Sequence, residues 1–424
     1  MSIAIIGMLD EREEALKYLG ERIRARGQEV ILLDTSIGVG GITPGIQPHF
    51  SSFEIARRGG LGEEEARNLK GLGRERVTDA MARGLTELLG ELHSSGKIRG
   101  ALAVGGMTTS TISLPALKAL PFGFPKVLVS SAVAMPAYAT KFSQFLGLKD
   151  ITVLNTVVDT VGMNPLVKAL MDSACGIICG MVEGWEPIAE PERPTVAMTE
   201  LGFCDKGAQL VRDILMKDGY EVISFHATGL GDRAAEELVA QGIFQCFVDL
   251  VPAGLSEHLL GGNRDAGPER LMGAVRAGVP YVLAPCGFDM ISCGPIERRD
   301  KADPLWTQRG LAQRKLLVQD SMRVQARTTA QEMELIAKEV AQRLNKHPRK
   351  ESVKFLVPLK GFSSLSVEGG PLHDPEADYA FVKSLRENLS EEIRVREVEA
   401  SINEPAFAEA VAESVKEALR SLKA

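Results

Sequence analysis

The sequence predicts an α/β protein made of two Rossmann-like, doubly wound parallel-sheet domains that face a cleft. Short apolar runs alternate with segments of helical periodicity along the chain, which is typical of parallel sheets covered by helices on both faces. The layout at the start of the chain also returns in its second half. At 424 residues the chain is too long for one ordinary core, so two domains of roughly 200 residues each are expected.

The first βαβ unit opens the chain. Ile3 to Gly7 is a short apolar run, and Glu11 to Arg26 then carries apolar residues at helical spacing. Gly27 ends the predicted helix, and Val30 to Leu33 is apolar again. This order predicts two parallel strands joined by a helix.

A second βαβ unit follows the same plan at a constant offset. Its predicted elements are Thr195 to Met198, Lys206 to Lys217 and Val222 to Phe225, with Gly219 before the last strand. Both units contain the pattern Gly, one residue, Glu-Val-Ile. Any two βαβ units look alike at their start, so true duplication and chance similarity both remain open.

The segment from Gly184 to Pro194 contains three prolines and several charges, which suits an exposed linker. We therefore expect an N-terminal domain over residues 1–190 and a C-terminal domain over residues 191–424.

The stretch from Asp34 to Gly73 is expected to be a mobile flap or a dimer arm. Further helices and strands are expected in each domain. In the N-terminal domain they are a helix at Val77–Leu92, a strand at Gly100–Val104, a helix at Leu114–Leu120 and strands at Lys126–Val129 and Thr152–Val158. In the C-terminal domain they are a strand at Ile243–Val251, a helix at Pro268–Ala277, a strand at Tyr281–Ala284, a capped helix at Met333–Leu344, a strand at Val353–Val357, and helices from Asp374 and from about Glu404.

Composition argues against several classes of protein. The content of 45% hydrophobic and 25% charged residues is ordinary for a packed protein, and the net charge of −7 comes without a basic stripe, so nucleic acid is not an expected partner. No apolar stretch approaches the roughly 18 uninterrupted residues of a membrane span, so a cytoplasmic protein is expected. The six cysteines lack the CxxC spacing of metal sites and are expected to be buried, and no metal site is expected.

The best candidate for an anion site follows the predicted strand Gly100–Val104. Gly105 and Gly106 would let backbone N–H groups approach an anion, and the hydroxyls of Thr108 and Thr109 would add donors at the start of a helix. The Gly-Lys-Ser/Thr of a P-loop is absent, so a plain glycine turn is the alternative.

A second candidate is the turn at Gly229 and Gly231, which leads into a predicted helix. It fits only the looser GxGxxA form of the dinucleotide fingerprint, and it follows the second strand of its domain rather than the first. His226 before it, Asp249 at the end of a buried strand and His258 beyond are candidates for acid–base catalysis, with a structural role as the alternative for each.

Six segments in fixed order resemble the uncharacterised protein family 0261. They are HATGLGDRAAEELVAQG, DLVPAGLSEHLLGGNRDAGPERL, GFDMISCGP, ARTTAQE, PLKGFSSL and DPEAD, and the similarity continues in the first domain through VVDTVGMN. Members of this family are similar to the N-terminal, ATP-binding inhibitory domain of the tomato mosaic virus resistance protein. The resemblance implies two Rossmann-like subdomains, ATP binding, with Mg as a possible companion, and self-association as a dimer or a dimer of dimers.

The first loop departs from the pattern that the resemblance leads us to expect. Family members usually begin with a loop like Gly-Thr-Leu-Asp-Thr-Lys-Gly, whereas this chain has Gly7-Met8-Leu9-Asp10-Glu11-Arg12-Glu13, which keeps Leu9 and Asp10 but loses the threonines and the lysine. Another anionic or acyl ligand is therefore an alternative to ATP.

The sequence as a whole predicts a nucleotide-binding protein of unknown reaction, with the ligand held between the domains. The expected contacts are Gly105, Gly106, Thr108, Thr109, Gly229 and Gly231, with Lys360 as a cation that neutralises phosphate. The alternatives are an enzyme that acts on a small carboxylate or acyl compound through His226, Asp249 or His258, and a non-catalytic interaction protein.

Overall fold

The computed structural model describes residues 2–189 and 191–421, and they form two compact units, one up to Ala189 and one after it. Each unit is built on a parallel sheet with a hydrophobic core on either face. The predicted α/β class with two Rossmann-like, doubly wound domains is therefore confirmed.

The N-terminal domain has a five-stranded sheet in which every pair of neighbours is parallel. The strand order is β2-β1-β3-β4-β5, so the direction of chain progression reverses between β1 and β3. The strands are β1 (Ser2–Gly7), β2 (Glu29–Asp34), β3 (Ile98–Gly105), β4 (Lys126–Ser130) and β5 (Thr152–Asn155).

Helices cover both faces of this sheet because its strands are apolar on both sides. Ile3 and Ile5 contribute to one core, and Ala4 and Ile6 contribute to the other. Each such buried aliphatic side chain as large as isoleucine stabilises the domain by about 1.5–3 kcal/mol. The helices are α1 (Leu9–Arg24), α2 (Ser52–Arg58), α3 (Glu63–Arg67), α4 (Arg74–Ser94), α5 (Met107–Ala119), α6 (Ala139–Leu146) and α7 (Pro165–Glu183).

The C-terminal domain has a six-stranded parallel sheet of order β14-β13-β9-β8-β6-β7 and a separate antiparallel sheet of order β10-β12-β11. In the large sheet the chain progression reverses between β6 and β8. The strands are β6 (Thr195–Glu200), β7 (Glu221–His226), β8 (Cys246–Asp249), β9 (Tyr281–Leu283), β10 (Met290–Ser292), β11 (Leu316–Val318), β12 (Val324–Arg327), β13 (Val353–Pro358) and β14 (Arg394–Val398).

The helices of the C-terminal domain again divide between two cores. Val196 and Met198 of β6 pack on one side with α8 and α16, and Ala197 packs on the other with α9, α14 and α15. The helices are α8 (Asp205–Lys217), α9 (Leu230–Ala240), α10 (Gly254–Leu260), α11 (Met272–Ala277), α12 (Glu297–Asp300), α13 (Pro304–Gln308), α14 (Ala330–Leu344), α15 (Pro375–Asn388) and α16 (Pro405–Arg420).

Several elements differ from the sequence prediction. Helix α5 begins at Met107, with only one residue between it and the end of β3, rather than at Leu114. Ser110 and Thr111 are tolerated in the helix because their hydroxyls donate hydrogen bonds to carbonyls of the preceding turn. The stretch from Asp34 to Gly73, expected as a flap or arm, contains α2 and α3. The antiparallel sheet was not predicted, since strands of three or four residues are too short to show periodicity.

Helix α7 is long and apolar enough, by length and composition alone, to cross a membrane. Its buried residues recur at helical spacing from Val167 to Val182, on the face that packs against the sheet and α1. Helix α7 therefore covers one face of the sheet in its domain.

Arg270 lies at the centre of a buried ionic cluster in the C-terminal domain. Its guanidinium, with no exposed surface, contacts Asp232 at 3.3 Å, Asp249 at 2.8 Å and Glu236 at 2.5 Å. Burial alone would lower the pKa of Arg270, but the negative charges of the three carboxylates outweigh burial and raise it. The cluster therefore joins α9, β8 and the segment before α11 through one cation.

We expect Arg270→Met to lower the free energy of unfolding of the C-terminal domain by about 3–5 kcal/mol, because it leaves buried carboxylates without their cation. Chemical denaturation measures this loss. The matched control is Arg276→Met, since Arg276 and Glu269 form an exposed pair whose loss costs about 1 kcal/mol or less. Equal effects of the two substitutions would show that the cluster does not stabilise the fold.

Candidate functional site

The candidate site of the N-terminal domain lies at the carboxyl ends of β1 and β3, where the strand order reverses. Ligands of open α/β sheets bind at this point, since the loops diverge there and leave a crevice. Residues 8–12 follow β1, and Gly106 leads from β3 directly into α5.

The two glycines of the predicted phosphate turn have different roles. A Cβ on Gly105 would lie 2.2 Å from Oγ1 of Thr109, so packing against α5 requires glycine there. A Cβ on Gly106 would lie 3.5 Å from Nη2 of Arg12 and 3.8 Å from Oγ of Ser131, which are ordinary contact distances. The space beside Gly106 is therefore bounded by side chains, among them that of Arg12, rather than by a closely packed backbone segment. An atom of a ligand has room there.

The amino end of α5 has donors to offer. Among the described residues, no side chain caps this helix, so its first N–H groups lack the partner that a capping residue would provide. Thr109, only 1% exposed, has no hydrogen-bond partner for Oγ1 within the described chain. Thr108 accepts a hydrogen bond from Arg74 Nη2 at 2.7 Å, which brings a second cation to the first turn.

Arg12 is the cation of the site, and the sequence analysis missed it. Its side chain is 5% exposed, and it donates to Asp159 Oδ1 at 2.8 Å and to Thr160 Oγ1 at 3.0 Å, with Glu11 as a further partner. Arg12 stands where the family pattern has lysine, so the positive charge expected to be lost is retained. The alignment of the two loops, letter by letter, could have identified it.

The loop that holds Arg12 is conformationally strained. Val157 has φ of 61° and is 82% exposed, so a β-branched residue adopts a left-handed conformation without burial to compensate. Such a residue costs about 1–3 kcal/mol. The same turn carries Asp159 and Thr160, whose hydrogen bonds hold the guanidinium of Arg12.

Buried polar atoms without partners concentrate at this edge. Oδ1 of Asp10 follows β1, Oγ1 of Thr35 follows β2, and Oγ1 of Thr109 follows β3; within the described residues none of the three has a hydrogen-bond partner. Because β2, β1 and β3 are neighbours in a parallel sheet, the residues that carry these atoms all follow strands at the same edge of the sheet. Buried polar groups normally have partners, so a polar ligand is expected here.

The same edge carries carboxylates. Oδ2 of Asp10 accepts a hydrogen bond from the Gly40 amide at 3.0 Å, and Oδ1 of Asp34 accepts from the amides of Leu9 and Ser36. Within residues 2–189 and 191–421, no cluster of three or more His, Cys, Asp or Glu side chains could hold a metal alone. A magnesium ion that arrives with phosphates needs only one or two protein carboxylates.

The glycines of the second predicted turn are explained by packing. Gly229 has φ of 93°, and a Cβ there would lie 2.9 Å from the carbonyl oxygen of Asp265. A Cβ on Gly231 would lie 2.1 Å from the carbonyl oxygen of His226. Both positions therefore need glycine for the chain to fold, whether or not a ligand binds. Their role in binding an anion stays a prediction.

The three predicted catalytic residues have separate surroundings. Asp249, fully buried, accepts hydrogen bonds from Thr199 at 2.6 Å and from Tyr281 at 2.7 Å besides its contact with Arg270. His226 is exposed at the end of edge strand β7, and its ring makes no hydrogen bond to a described residue. His258 Nδ1 lies 3.0 Å from Asp265 Oδ1. No contact joins the three within the described chain, so acid–base catalysis by them stays a prediction.

Lys360 lies in the turn after β13, on the wall of a pocket of the C-terminal domain. Four carboxylates line the same pocket, and Glu404 is near enough for the charge of Lys360 to help lower its pKa. These acidic neighbours oppose the binding of phosphate at Lys360.

Comparison with known proteins gives the family. The uncharacterised protein family UPF0261 matches with its N-terminal domain over residues 1–187 and its C-terminal domain over residues 193–419. A UPF0261 protein of Clostridium tetani is 31% identical over 414 residues, which cover 97% of this chain and 98% of the relative. The ToMV resistance protein Tm-1(GCR237) of Solanum lycopersicum is 28% identical over 344 residues, 80% of this chain and 44% of that protein.

Among solved structures, the ADP-heptose heptosyltransferase II of E. coli is 14% identical with a TM-score of 0.21, and each chain is covered completely. A Streptomyces glycosyltransferase complexed with thymidine diphosphate is 16% identical with a TM-score of 0.17, over 73% of this chain and 86% of the other. At these TM-scores neither similarity carries an argument about function. The models of the N-terminal and C-terminal domains match the chain in that order, and relatives of similar length match it along almost all of its residues. The chain therefore belongs to the uncharacterised protein family UPF0261.

Proposed function

We propose that the N-terminal domain binds the phosphate groups of a nucleotide such as ATP at the amino end of α5. The observation that supports this proposal is the position of Gly106. It leads from β3 into an uncapped helix at the reversal point of the sheet, with the guanidinium of Arg12 in front of it. Helix amino ends carry partial positive charge and free N–H groups, both of which favour phosphate.

Each part of the site has a separate task in this proposal. The first N–H groups of α5 and the hydroxyl of Thr109 donate to phosphate oxygens. Arg12 neutralises charge, and its planar guanidinium matches phosphate geometry better than an ammonium would. Its contacts with Asp159 and Thr160 fix the guanidinium before the ligand arrives, which lowers the entropy lost on binding.

The carboxylates at this edge favour a nucleotide that carries a divalent cation. Glu11 and Asp159 already share the charge of Arg12, so Arg12 alone cannot neutralise a triphosphate. Mg²⁺ usually binds through one or two carboxylates together with substrate phosphates, and Asp10 Oδ1 is the unpartnered candidate among the described residues. When bound, the ion would reduce repulsion between the phosphates and the acidic loop.

Other expectations from the sequence stay predictions. They are the binding of a different anionic or acyl compound, the sharing of one ligand by both domains, a homo-oligomer, a cytoplasmic location and an enzyme reaction. The proposal concerns nucleotide binding by the N-terminal domain and includes no catalytic step.

We expect ATP with Mg²⁺ to stabilise the protein against heat. A ligand at a hundred times its dissociation constant adds about 2.7 kcal/mol, which raises the melting temperature of a domain of this size by about 5–10 °C. Calorimetric melting curves with ATP, with Mg²⁺ alone and with both measure the shift. The shift should be smaller without Mg²⁺, and a protein whose melting is unchanged at millimolar Mg-ATP would contradict the proposal.

We expect Gly106→Ala to weaken nucleotide binding about tenfold, equal to about 1.4 kcal/mol, while the domain stays folded. The added methyl meets no atom closer than 3.5 Å, so it occupies ligand space without a clash. Isothermal titration calorimetry measures the affinity. The matched control is Gly176→Ala in α7, where a Cβ meets nothing within 4 Å. Unchanged affinity in folded Gly106→Ala would place the nucleotide elsewhere.

A further inference from the structure

A pocket of about 830 Å³ lies in the C-terminal domain, at the carboxyl ends of β13 and β14. Its wall is formed by the turn after β13, the start of α15 and the segment after β14. Pockets that bind small molecules commonly have volumes of about 300–1,000 Å³ with mostly apolar walls and a few polar groups. Leu359, which is 43% exposed, and Val367, which is half-buried, supply apolar surface here.

Asp378 is the fixed polar group of this pocket. It lies in the first turn of α15, and its Oδ1 accepts a hydrogen bond from Nη2 of Arg327 at 2.6 Å. Arg327 is 3% exposed and also donates to the carbonyl oxygen of Asp374 at 2.9 Å, so the contact is held from behind the pocket wall. Oδ2 of Asp378 has no partner among the described residues and remains able to accept a hydrogen bond from a ligand.

Two rings beside Asp378 also suit a cation. Tyr379 lines the pocket with its side chain 68% exposed, and the face of a tyrosine ring attracts positive charge. His373 Nδ1 lies 3.0 Å from the carbonyl oxygen of Ser366. A neutral ring that donates through Nδ1 leaves Nε2 as an acceptor.

The charges of the lining favour a cation over an anion. The lining contains four carboxylates and one lysine, Lys360. The carboxylates are those of Glu368, Asp378, Glu397 and Glu404. A hydrogen bond from the Ser401 amide lowers the pKa of Glu404, and the charges of Lys360 and Lys206 lower it further. Glu397 pairs with Arg386 at 2.8 Å, which leaves Asp378 and Glu368 to attract a ligand's charge.

We propose that this pocket binds a small organic amine, with the ammonium group at Asp378 and Tyr379 and the apolar body against Leu359 and Val367. An ammonium donates to Oδ2 of Asp378 without disturbing the bond from Arg327. An apolar body is needed because a compact polar ion would leave the hydrophobic wall in contact with water. This site is separate from the nucleotide site proposed for the N-terminal domain.

The protonation of Asp378 gives the site a dependence on pH. Burial raises the pKa of Asp378 to about 7; the charge of Arg327 opposes this increase, and the charges of Asp289 and Asp374 add to it. Lys360 and Glu404 are further charged groups of the lining. Above pH 7 the carboxylate attracts an amine, and below pH 7 the neutral acid does not.

The test uses three ligands of one shape on the whole protein. We expect tryptamine, a cation, to bind at pH 8 at least tenfold more tightly than the anion indole-3-propionate or the neutral 3-ethylindole, as measured by calorimetry and ligand-observed NMR. Tryptamine affinity should fall about tenfold from pH 8 to pH 6, because the ionised fraction of a group with a pKa of about 7 falls by that factor. Equal binding of the three ligands, preference for the anion or no binding would each overturn the proposal.

Two substitutions locate the amine. Asp378→Asn keeps an acceptor for Arg327 but removes the charge, so tryptamine should bind at least tenfold more weakly and without the dependence on pH. Tyr379→Ala removes an exposed ring, leaves the fold intact and should weaken tryptamine more than 3-ethylindole. The matched control is Asp213→Asn, an exposed aspartate of α8 outside the pocket. Wild-type affinity in both pocket variants would overturn the assignment.

Discussion

The C-terminal domain depends on one buried cation, Arg270, surrounded by the carboxylates of Asp232, Glu236 and Asp249. Burial of any of these charges alone would be unfavourable, so the cluster is stable only when all the segments that carry them are in place. It follows that α9, β8 and the segment before α11 must assemble together. The GxG turn before α9 belongs to this assembly, since Asp232 on its first turn faces Arg270 rather than a ligand.

The N-terminal domain also fixes an arginine, with a different result. Arg12 is held by Asp159 and Thr160, but its guanidinium lies beside Gly106 at the edge of the sheet. The side chain of Arg270 is fully buried and is paired with three carboxylates. Arg12 lies near the uncapped amino end of α5, where we propose that phosphate binds.

The segments that carry the family resemblance come together in space. Asp289, Arg327, Ser363 and Asp378 belong to four of those segments, and hydrogen bonds connect them through Arg327 and Asp289. Residues far apart in sequence thus form one support beneath the pocket of the C-terminal domain. Each of these four segments therefore supplies one part of a shared structure.

The two parallel sheets and the glycine turn after β3 could be predicted from the sequence, because hydrophobic periodicity and glycine act locally along the chain. Arg12 is visible in the sequence, but its role is not. Only the folded structure shows that its side chain lies beside Gly106, more than ninety residues later in the chain. Only the tertiary structure separated Gly105, required by packing, from Gly106, which faces the crevice. It likewise showed Asp249 to be enclosed by Arg270 and Asp378 to line a pocket. Burial and partners are set by segments distant in sequence, and no local pattern encodes them.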